Sequence, residues 1–216
     1  MKQRSFFKNN FNVSCETMEK FDIYENLINK FQKKFNLVSN NSLNEIWLRH
    51  FSDSAQIYKN INHKFFKNQK KDAIIDIGSG AGFPGMVIGL MTENEKKNYN
   101  VTLVESNKKK FNFLCMLSKE LDLKVNLVND RSENLGDQYF DMITARAVAP
   151  LEKLIKQIYF KNKNPGYILP KGRFWKKEIE SIKNKWYFEQ FIVKNNIFID
   201  ISGGVNILLK NLRFYA

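Results

Sequence analysis

The stretch that most constrains this chain is Ala73 to Leu90, AIIDIGSGAGFPGMVIGL, where a short apolar run meets an aspartate, breaks into glycines and resumes as an apolar helical segment. Ala73, Ile74, Ile75 and Ile77 have the composition of a strand buried on both faces, as a parallel sheet requires. Asp76 interrupts that pattern. A carboxylate there is costly to bury unless it accepts hydrogen bonds, and the amides of the following turn are the nearest donors. Gly78, Gly80 and Gly82 follow at alternate positions, and such bare backbone lets a ligand lie against the chain. Pro84 suits the first turn of a helix, where no amide hydrogen is needed.

A dinucleotide fingerprint would read G-x-G-x-x-G, with a third glycine at position 83. This chain has Phe83 there and reads G-x-G-x-G. With no pyrophosphate to receive, the loop suits a ligand that joins a nucleoside to an uncharged or zwitterionic tail, and S-adenosylmethionine (AdoMet) has that chemistry. The remaining parts of a nucleoside site should then follow in order. Val101 to Val104 is a second buried strand stopped by Glu105, and one carboxylate can accept from both vicinal hydroxyls of a ribose. Glu105 lies farther from Gly78 than the roughly 20 residues of the fingerprint, and the loop TENEKKNYN accounts for the excess. A third strand, Val125 to Val128, leads into NDRSENL, which puts Asp130, Ser132 and Glu133 where an adenine edge would be read. The fourth, Phe140 to Thr144 with Asp141 at its start, runs into ARAVAP. Arg146 stands at its carboxyl end, before a helix opened by Pro150, and a guanidinium there suits a cofactor carboxylate or an RNA phosphate. The fifth, Gly166 to Leu169, ends in PKGR, so Lys171 and Arg173 fall near any polyanion using the same crevice.

Helical spacing marks Glu16 to Phe35, through Tyr24, Leu27, Ile28, Phe31 and Phe35, and a second pattern through Leu43, Ile46, Trp47 and Phe51. Inside the second lies RHFSDS, Arg49 to Ser54, whose density of polar groups a solvated helix face would explain. Lys108 to Leu121 is a helix with Phe111, Leu114, Cys115 and Leu117 on one face, and Trp175 to Trp186 is a charged helix. Tyr187 to Val193 and Val205 to Leu209 read as closing strands, and residues 1 to 14, polar and basic, as a frayed arm. The expected fold is α/β: a doubly wound, Rossmann-like arrangement with a seven-stranded, mostly parallel sheet and right-handed crossovers. Residues 1–70 form an N-terminal helical extension packed on a catalytic domain at 71–216.

Charge bears on the partner. The 216 residues carry 35 Lys plus Arg against 22 Asp plus Glu, a net +13, which favours a polyanion. No apolar run approaches the roughly 20 residues needed to cross a bilayer, and the start MKQRSFFKNN lacks a signal-peptide core, so the expected location is the cytoplasm. Cys15 and Cys115 sit in no metal spacing and read as reduced thiols, and His50 and His63 cannot by themselves make a metal site.

With these residues in hand, the chain resembles the bacterial small-subunit ribosomal RNA methyltransferase G family, also called glucose-inhibited division protein B. FNLVSNNSLNEIWLRHFSDS (Phe35 to Ser54) is similar to the family's NLTS and RHxxDS signature, and DIGSGAGFPG (Asp76 to Gly85) to its cofactor loop. ITARAVAPL (Ile143 to Leu151) is similar to its SRAxAxL segment, and the turn from Gly166 to Gly172 to the end of its last parallel strand. Ala145 stands where the family often has serine, and Pro170 replaces the residue usual before the lysine of the KG turn. The resemblance implies the class I AdoMet-dependent methyltransferase fold and methylation of N7 of a guanine in 16S ribosomal RNA, presented as free rRNA or as a small-subunit particle; a monomer with no membrane partner is a separate expectation. It implies AdoMet contacts at Gly78, Phe83, Ser132, Glu133 and Arg146, to which the residues themselves add Gly80 and Glu105. Arg49, Lys171 and Arg173 are candidates for RNA phosphates on charge and position. N7 carries an in-plane lone pair and no proton, so no catalytic base and no metal are expected. Two rivals are a methyltransferase of the same fold acting on another RNA or a small molecule, and a non-catalytic RNA-binding protein of that fold. Basicity and RHxxDS weigh against the first; Asp76, the three glycines and Glu105 weigh against the second.

Overall fold

Short runs of β-branched and apolar residues pair into one seven-stranded sheet in the computed structural model, which describes residues 2–136, 138–146, 148–159, 164–194 and 204–215. In chain order the strands are β1 (Ala73–Ile77), β2 (Asn100–Val104), β3 (Asn126–Val128), β4 (Met142–Ala145), β5 (Gly166–Lys171), β6 (Trp186–Lys194) and β7 (Val205–Phe214). Their spatial order is β3-β2-β1-β4-β5-β7-β6. The first five are mutually parallel, while β7 runs antiparallel to both β5 and β6. The chain winds outward from β1 through β2 to β3, then returns to start β4 on the other side of β1. That reversal is a topological switch point, where open α/β sheets leave a crevice beyond the carboxyl ends of the strands. Register fixes what meets there: Ile77 is opposite Val104 on β2 and Ala145 on β4. The next residues along the three strands are Gly78, Glu105 and Arg146.

Helices cover both faces. On one lie α1 (Lys2–Phe11), α2 (Cys15–Phe35), the single turn α3 (Asn40–Leu43), α4 (Asp53–Ile61), α5 (Gly85–Asn94) and α6 (Lys108–Glu120). Their apolar residues share one core with Ile74, Val101, Leu103, Met142, Ile168 and Leu208 of the sheet. On the other lie α7 (Leu151–Ile158) and α8 (Trp175–Lys183), packed on Ile75, Ile77, Ile143, Tyr167 and Leu169. Strict alternation along β1 therefore turns Ile74 and Asp76 toward the N-terminal helices.

Local chemistry sets the helix ends. Ser14 caps α2 by accepting from the Thr17 amide at 3.1 Å, and Asn36 ends it in the left-handed region at φ 47°. Asn107 caps α6 through the Lys109 and Lys110 amides. Pro150 leaves α7 without a side-chain cap of its own, and Glu178 on α8 supplies one by accepting the Leu151 amide at 2.8 Å.

Four expectations need correction. The first 14 residues are not a frayed arm: Phe7 and Phe11 of α1 are buried, Phe7 among Phe21, Trp47 and Phe51, and Arg4 pairs with Asp22 through two bonds of 2.6 Å. The inward face of α6 is Phe113, Leu114 and Leu117, with Cys115 exposed and Phe111 only half-buried. Trp186 belongs to β6 and not to the preceding helix, and β7 continues to Phe214 because its apolar side chains complete the core under α7 and α8. Pro84 stands just ahead of α5, as its N-cap.

If α1 is an integral part of the aromatic cluster, Phe7→Ala should lower the stability measured by urea unfolding by about 3 to 5 kcal/mol, the usual cost of emptying a buried aromatic site. A loss under about 1 kcal/mol would mean that α1 is not docked.

Candidate active site

The glycine bend hangs from the sheet by its own backbone. The Gly78 and Ser79 amides both donate to the Val104 carbonyl, at 2.8 and 3.0 Å, which pulls the bend across the end of β2. Gly78 has φ +68°, and a Cβ there would lie 2.7 Å from a methyl of Val148. Only glycine fits both demands. Gly85 is needed for space alone: a Cβ would meet Leu103 at 2.5 Å and a carboxylate oxygen of Asp76 at 2.8 Å.

That approach lets the Gly85 amide, at the start of α5, donate to Asp76 Oδ2 at 2.9 Å. The donor for the buried carboxylate is thus the helix N-terminus beyond the bend, where the helix dipole also favours negative charge. Oδ1 has no hydrogen-bond partner among the described residues. Asp76 is fully buried, and burial pushes its carboxyl up to about 7.

Glu105, buried at the end of β2, points back at the bend. Its Oε2 accepts the Gly80 amide at 2.8 Å and its Oε1 accepts the Asn107 amide at 2.7 Å. Each oxygen keeps a further lone pair for a ligand hydroxyl. Phe83 is buried in a stack, with Tyr24 on one side (centroids 5.2 Å apart, 8° between planes) and His50 at 4.8 Å. Tyr24 also donates to the Ala81 carbonyl at 2.7 Å, so α2 holds both ends of the bend's second half.

Arg146 binds the other side. Its Nη2 donates to the Arg49 carbonyl at 2.6 Å and to His50 Nδ1 at 3.0 Å, and stands 3.9 Å from the Asp53 carboxylate. These partners lie on α4 and on the π-helical turn Trp47–Ser52 that precedes it. A wider turn of this kind frees backbone carbonyls for outside donors and recurs at functional sites. Because arginine can only donate, His50 Nδ1 must accept, so the proton sits on Nε2 and goes to Ser42 Oγ at 2.8 Å. Burial, then Arg146, hold His50 neutral down to about 3. Arg146 Nη1 is buried with no partner among the described residues. RHFSDS is therefore no solvated face: Ser52 and Ser54 are buried, and the segment is the socket for Arg146.

Two cavities meet at that arginine. One, of about 330 Å³, is lined by Gly78, Gly80, Phe83, His50, Leu37 and Arg146 among others. The second, of about 750 Å³, is lined by Arg49, Asp53, Arg146, Val148, Pro150 and Lys171 among others. Of the residues singled out in the sequence, Gly78, Gly80, Phe83, Glu105 and Arg146 thus come together. Ser132 and Glu133 do not join them on the first cavity. They occupy a short 3-10 turn after β3, where the Ser132 hydroxyl donates to Glu133 and Glu133 accepts from Gln157 of α7. Lys171 does not offer a free ammonium: it is largely buried, 2.8 Å from the Ala149 carbonyl and 2.9 Å from Glu178, and braces the segment leading to α7. Arg49 and Arg173 do present exposed side chains, Arg173 over the exposed ring of Phe174. Asp53, His50, Tyr24 and Val148 were not predicted as site residues. For His50 and Asp53 the signal was the polar density of RHFSDS.

The raised Asp76 carboxyl has a consequence for stability. Its folded value lies above the ordinary 3.8, so between about pH 4 and 7 the folded chain binds more proton than the unfolded chain and loses stability as pH rises. His50 acts in the opposite sense, costing stability as pH falls from 6.5 toward about 3. Asp76→Asn isolates the first effect: the stability of the variant relative to the parent should climb from pH 4 to 7, by at most about 4 kcal/mol for a shift of this size. A difference that stays flat across that range would contradict the burial of a carboxylate at this point.

Residues 17–202 match the family model described as rRNA small subunit methyltransferase G. The chain is 35% identical over 181 residues to the Ribosomal RNA small subunit methyltransferase G of Ruegeria pomeroyi, a match covering 83% of this chain and 85% of that one. It is 38% identical over 178 residues to the protein of that name from Orientia tsutsugamushi strain Boryong, covering 81% and 82%. Among solved structures, magnesium protoporphyrin IX methyltransferase from Synechocystis PCC 6803 with bound SAM superposes with a TM-score of 0.57 at 12% identity, covering 88% of this chain and 97% of that one. TYW2 of M. jannaschii in complex with AdoMet gives 0.52 at 13% identity, covering 77% and 76%. At such low identity these two speak for the fold, which is the Rossmann-like class I methyltransferase fold. Taken with a matched span that runs from α2 past β6, the two sequence relatives establish that this chain belongs to the rRNA small subunit methyltransferase G family.

Proposed function

We propose that the protein transfers a methyl group from AdoMet to N7 of a guanine in 16S ribosomal RNA, in the cytoplasm and as a monomer. The observation that carries the cofactor half is the convergence of the bare Gly78 to Gly80 backbone, the Glu105 carboxylate and the unpaired Arg146 Nη1 on one crevice. Bound AdoMet supplies an electrophilic methyl on a positively charged sulfur. Glu105 would accept from ribose hydroxyls, and Ser132 and Glu133, at the end of the strand next to β2, suit the attached adenine. Arg146 Nη1 is a ready donor for the carboxylate of the amino-acid tail.

Guanine N7 attacks with a lone pair and loses no proton, so the protein's task is to hold nucleophile and methyl in line. Positioning of this kind is worth up to about 7 to 11 kcal/mol. Among the described residues beside the bend, His50 is neutral and its acceptor nitrogen is taken by Arg146. Phe83, buried and stacked between Tyr24 and His50, gives the cavity an apolar wall, and low polarity favours a step in which the charge on sulfur is dispersed. In A-form RNA the major groove hides N7, so the target guanine should be splayed out or lie in an open loop. The net charge of +13 and the exposed Arg49 and Arg173 suit its phosphates, whether as free rRNA or as a small-subunit particle.

Calorimetric titration with AdoMet should give heat with the parent protein and none with Gly78→Asp, whose added Cβ would collide with Val148. Incubation with labelled AdoMet and hypomethylated small-subunit RNA should place the label in 7-methylguanosine. Label on a carbon, a ribose or an exocyclic nitrogen would reject the N7 assignment. AdoMet binding with no transfer to either RNA or subunit would reject the substrate.

A further inference from the structure

The larger cavity contains two carboxylates, Asp53 and Glu178. Glu178 is committed, since it accepts both the Leu151 amide at 2.8 Å and the Lys171 ammonium at 2.9 Å. Asp53 is not. Its side chain is 30% exposed, its nearest cation is Arg146 at 3.9 Å, and among the described residues neither of its oxygens accepts a hydrogen bond from a side chain. Burial pushes its carboxyl up, against the pull of Arg146 and Arg49. A half-desolvated carboxylate with two open acceptor atoms is a costly thing to keep without a ligand that donates to both.

The cavity around it also has the size and lining for a base. Val148, Pro150 and Pro170 offer apolar faces, about 750 Å³ accommodates a nucleoside, and Arg146 forms the border with the cavity beside the glycine bend. The larger cavity lies at the carboxyl ends of β4 and β5, and the smaller one beside the bend that follows β1. Of the four RNA bases, guanine alone presents two adjacent donors on its Watson–Crick edge, N1–H and the 2-amino group, matched to the two oxygens of one carboxylate. Adenine and cytosine would set a ring-nitrogen acceptor against Asp53, and uracil has a single donor flanked by carbonyls. Holding that edge leaves N7, on the opposite side of the purine, clear to meet a methyl.

We propose that Asp53 is the specificity-determining residue of the acceptor site, its carboxylate accepting from N1–H and the 2-amino group of the target guanine while Val148, Pro150 and Pro170 enclose the base. This rests on the N7 reading above and names the group that selects the base.

The test uses the full chain and small-subunit RNA in which the methylated guanosine, once mapped, is replaced by inosine, which lacks only the 2-amino group. The parent should use the inosine RNA at least about tenfold less well in kcat/KM, the usual worth of one hydrogen bond to a charged acceptor. Assayed at saturating AdoMet, Asp53→Asn and Asp53→Ala should slow the guanosine RNA and bring the guanosine-to-inosine ratio toward one, and Asp53→Glu should recover part of the ratio. The proposal is overturned if the parent uses both RNAs equally. It is also overturned if the variants slow both equally with the ratio unchanged, since Asp53 would then serve only to seat Arg146. Should a variant no longer bind AdoMet, the parent ratio and Asp53→Glu decide. Label appearing elsewhere than on guanine N7 marks failure of the underlying function; an N7 product with an unmoved ratio marks failure of this inference alone.

Discussion

The guanidinium of Arg146 joins the catalytic edge of the sheet to the helices that precede it in the chain. A cation placed this deep is tolerated only because a carbonyl, an imidazole and a carboxylate close around it. Remove the socket and an uncompensated charge remains, which costs far more than the pair contributes. Much of the architecture of residues 45 to 54 follows from this need. The π-helical turn exposes the Arg49 carbonyl, the neutral tautomer of His50 presents Nδ1, and Ser42 fixes that tautomer by taking the proton on Nε2. The N-terminal helices are thereby part of the site. They form the wall against which Phe83 stacks, and they lend Asp53 to the cavity beside it.

The second constraint is register. Parallel pairing of β1 with β2 and β4 brings Gly78, Glu105 and Arg146 to neighbouring positions although they are far apart in the chain. The bend between β1 and α5 is shaped by contacts that tolerate no substituent, with the Val104 carbonyl holding its first half, Tyr24 its second, and Asp76 reaching under it to the first amide of the helix. Asp76 is thus a strut of the bend rather than a ligand group, which explains a carboxylate in an otherwise apolar strand.

How much of this could be read from residues alone depended on the range of the interactions. The alternation of strands and helices, the seven-stranded and mostly parallel sheet and the glycine turn between β1 and α5 follow from local composition and spacing, and the structure has all three. RHFSDS was misjudged as a solvated face because what satisfies it is an arginine 97 residues from Arg49, and no periodicity reports such a pairing. Lys171 looked like an RNA contact because its charge was visible and its partner Glu178 was not. On α6, Phe111 and Phe113 compete for the same apolar stripe, and only docking against α2 turns Phe113 inward. Residues 1 to 14 misled for a different reason: their average polarity masked Phe7 and Phe11, whose four-residue spacing was a legible helical signal.

The central claim is that the glycine bend and Glu105 together grip a nucleoside carrying the methyl to be transferred. A crystal structure of the protein soaked with S-adenosylhomocysteine, the demethylated product, tests this most directly. The account predicts the ribose hydroxyls on the Glu105 carboxylate and the amino-acid tail against the Gly78 backbone and Arg146. Density for the product elsewhere, with Glu105 still bonded only to the Gly80 and Asn107 amides, would contradict it.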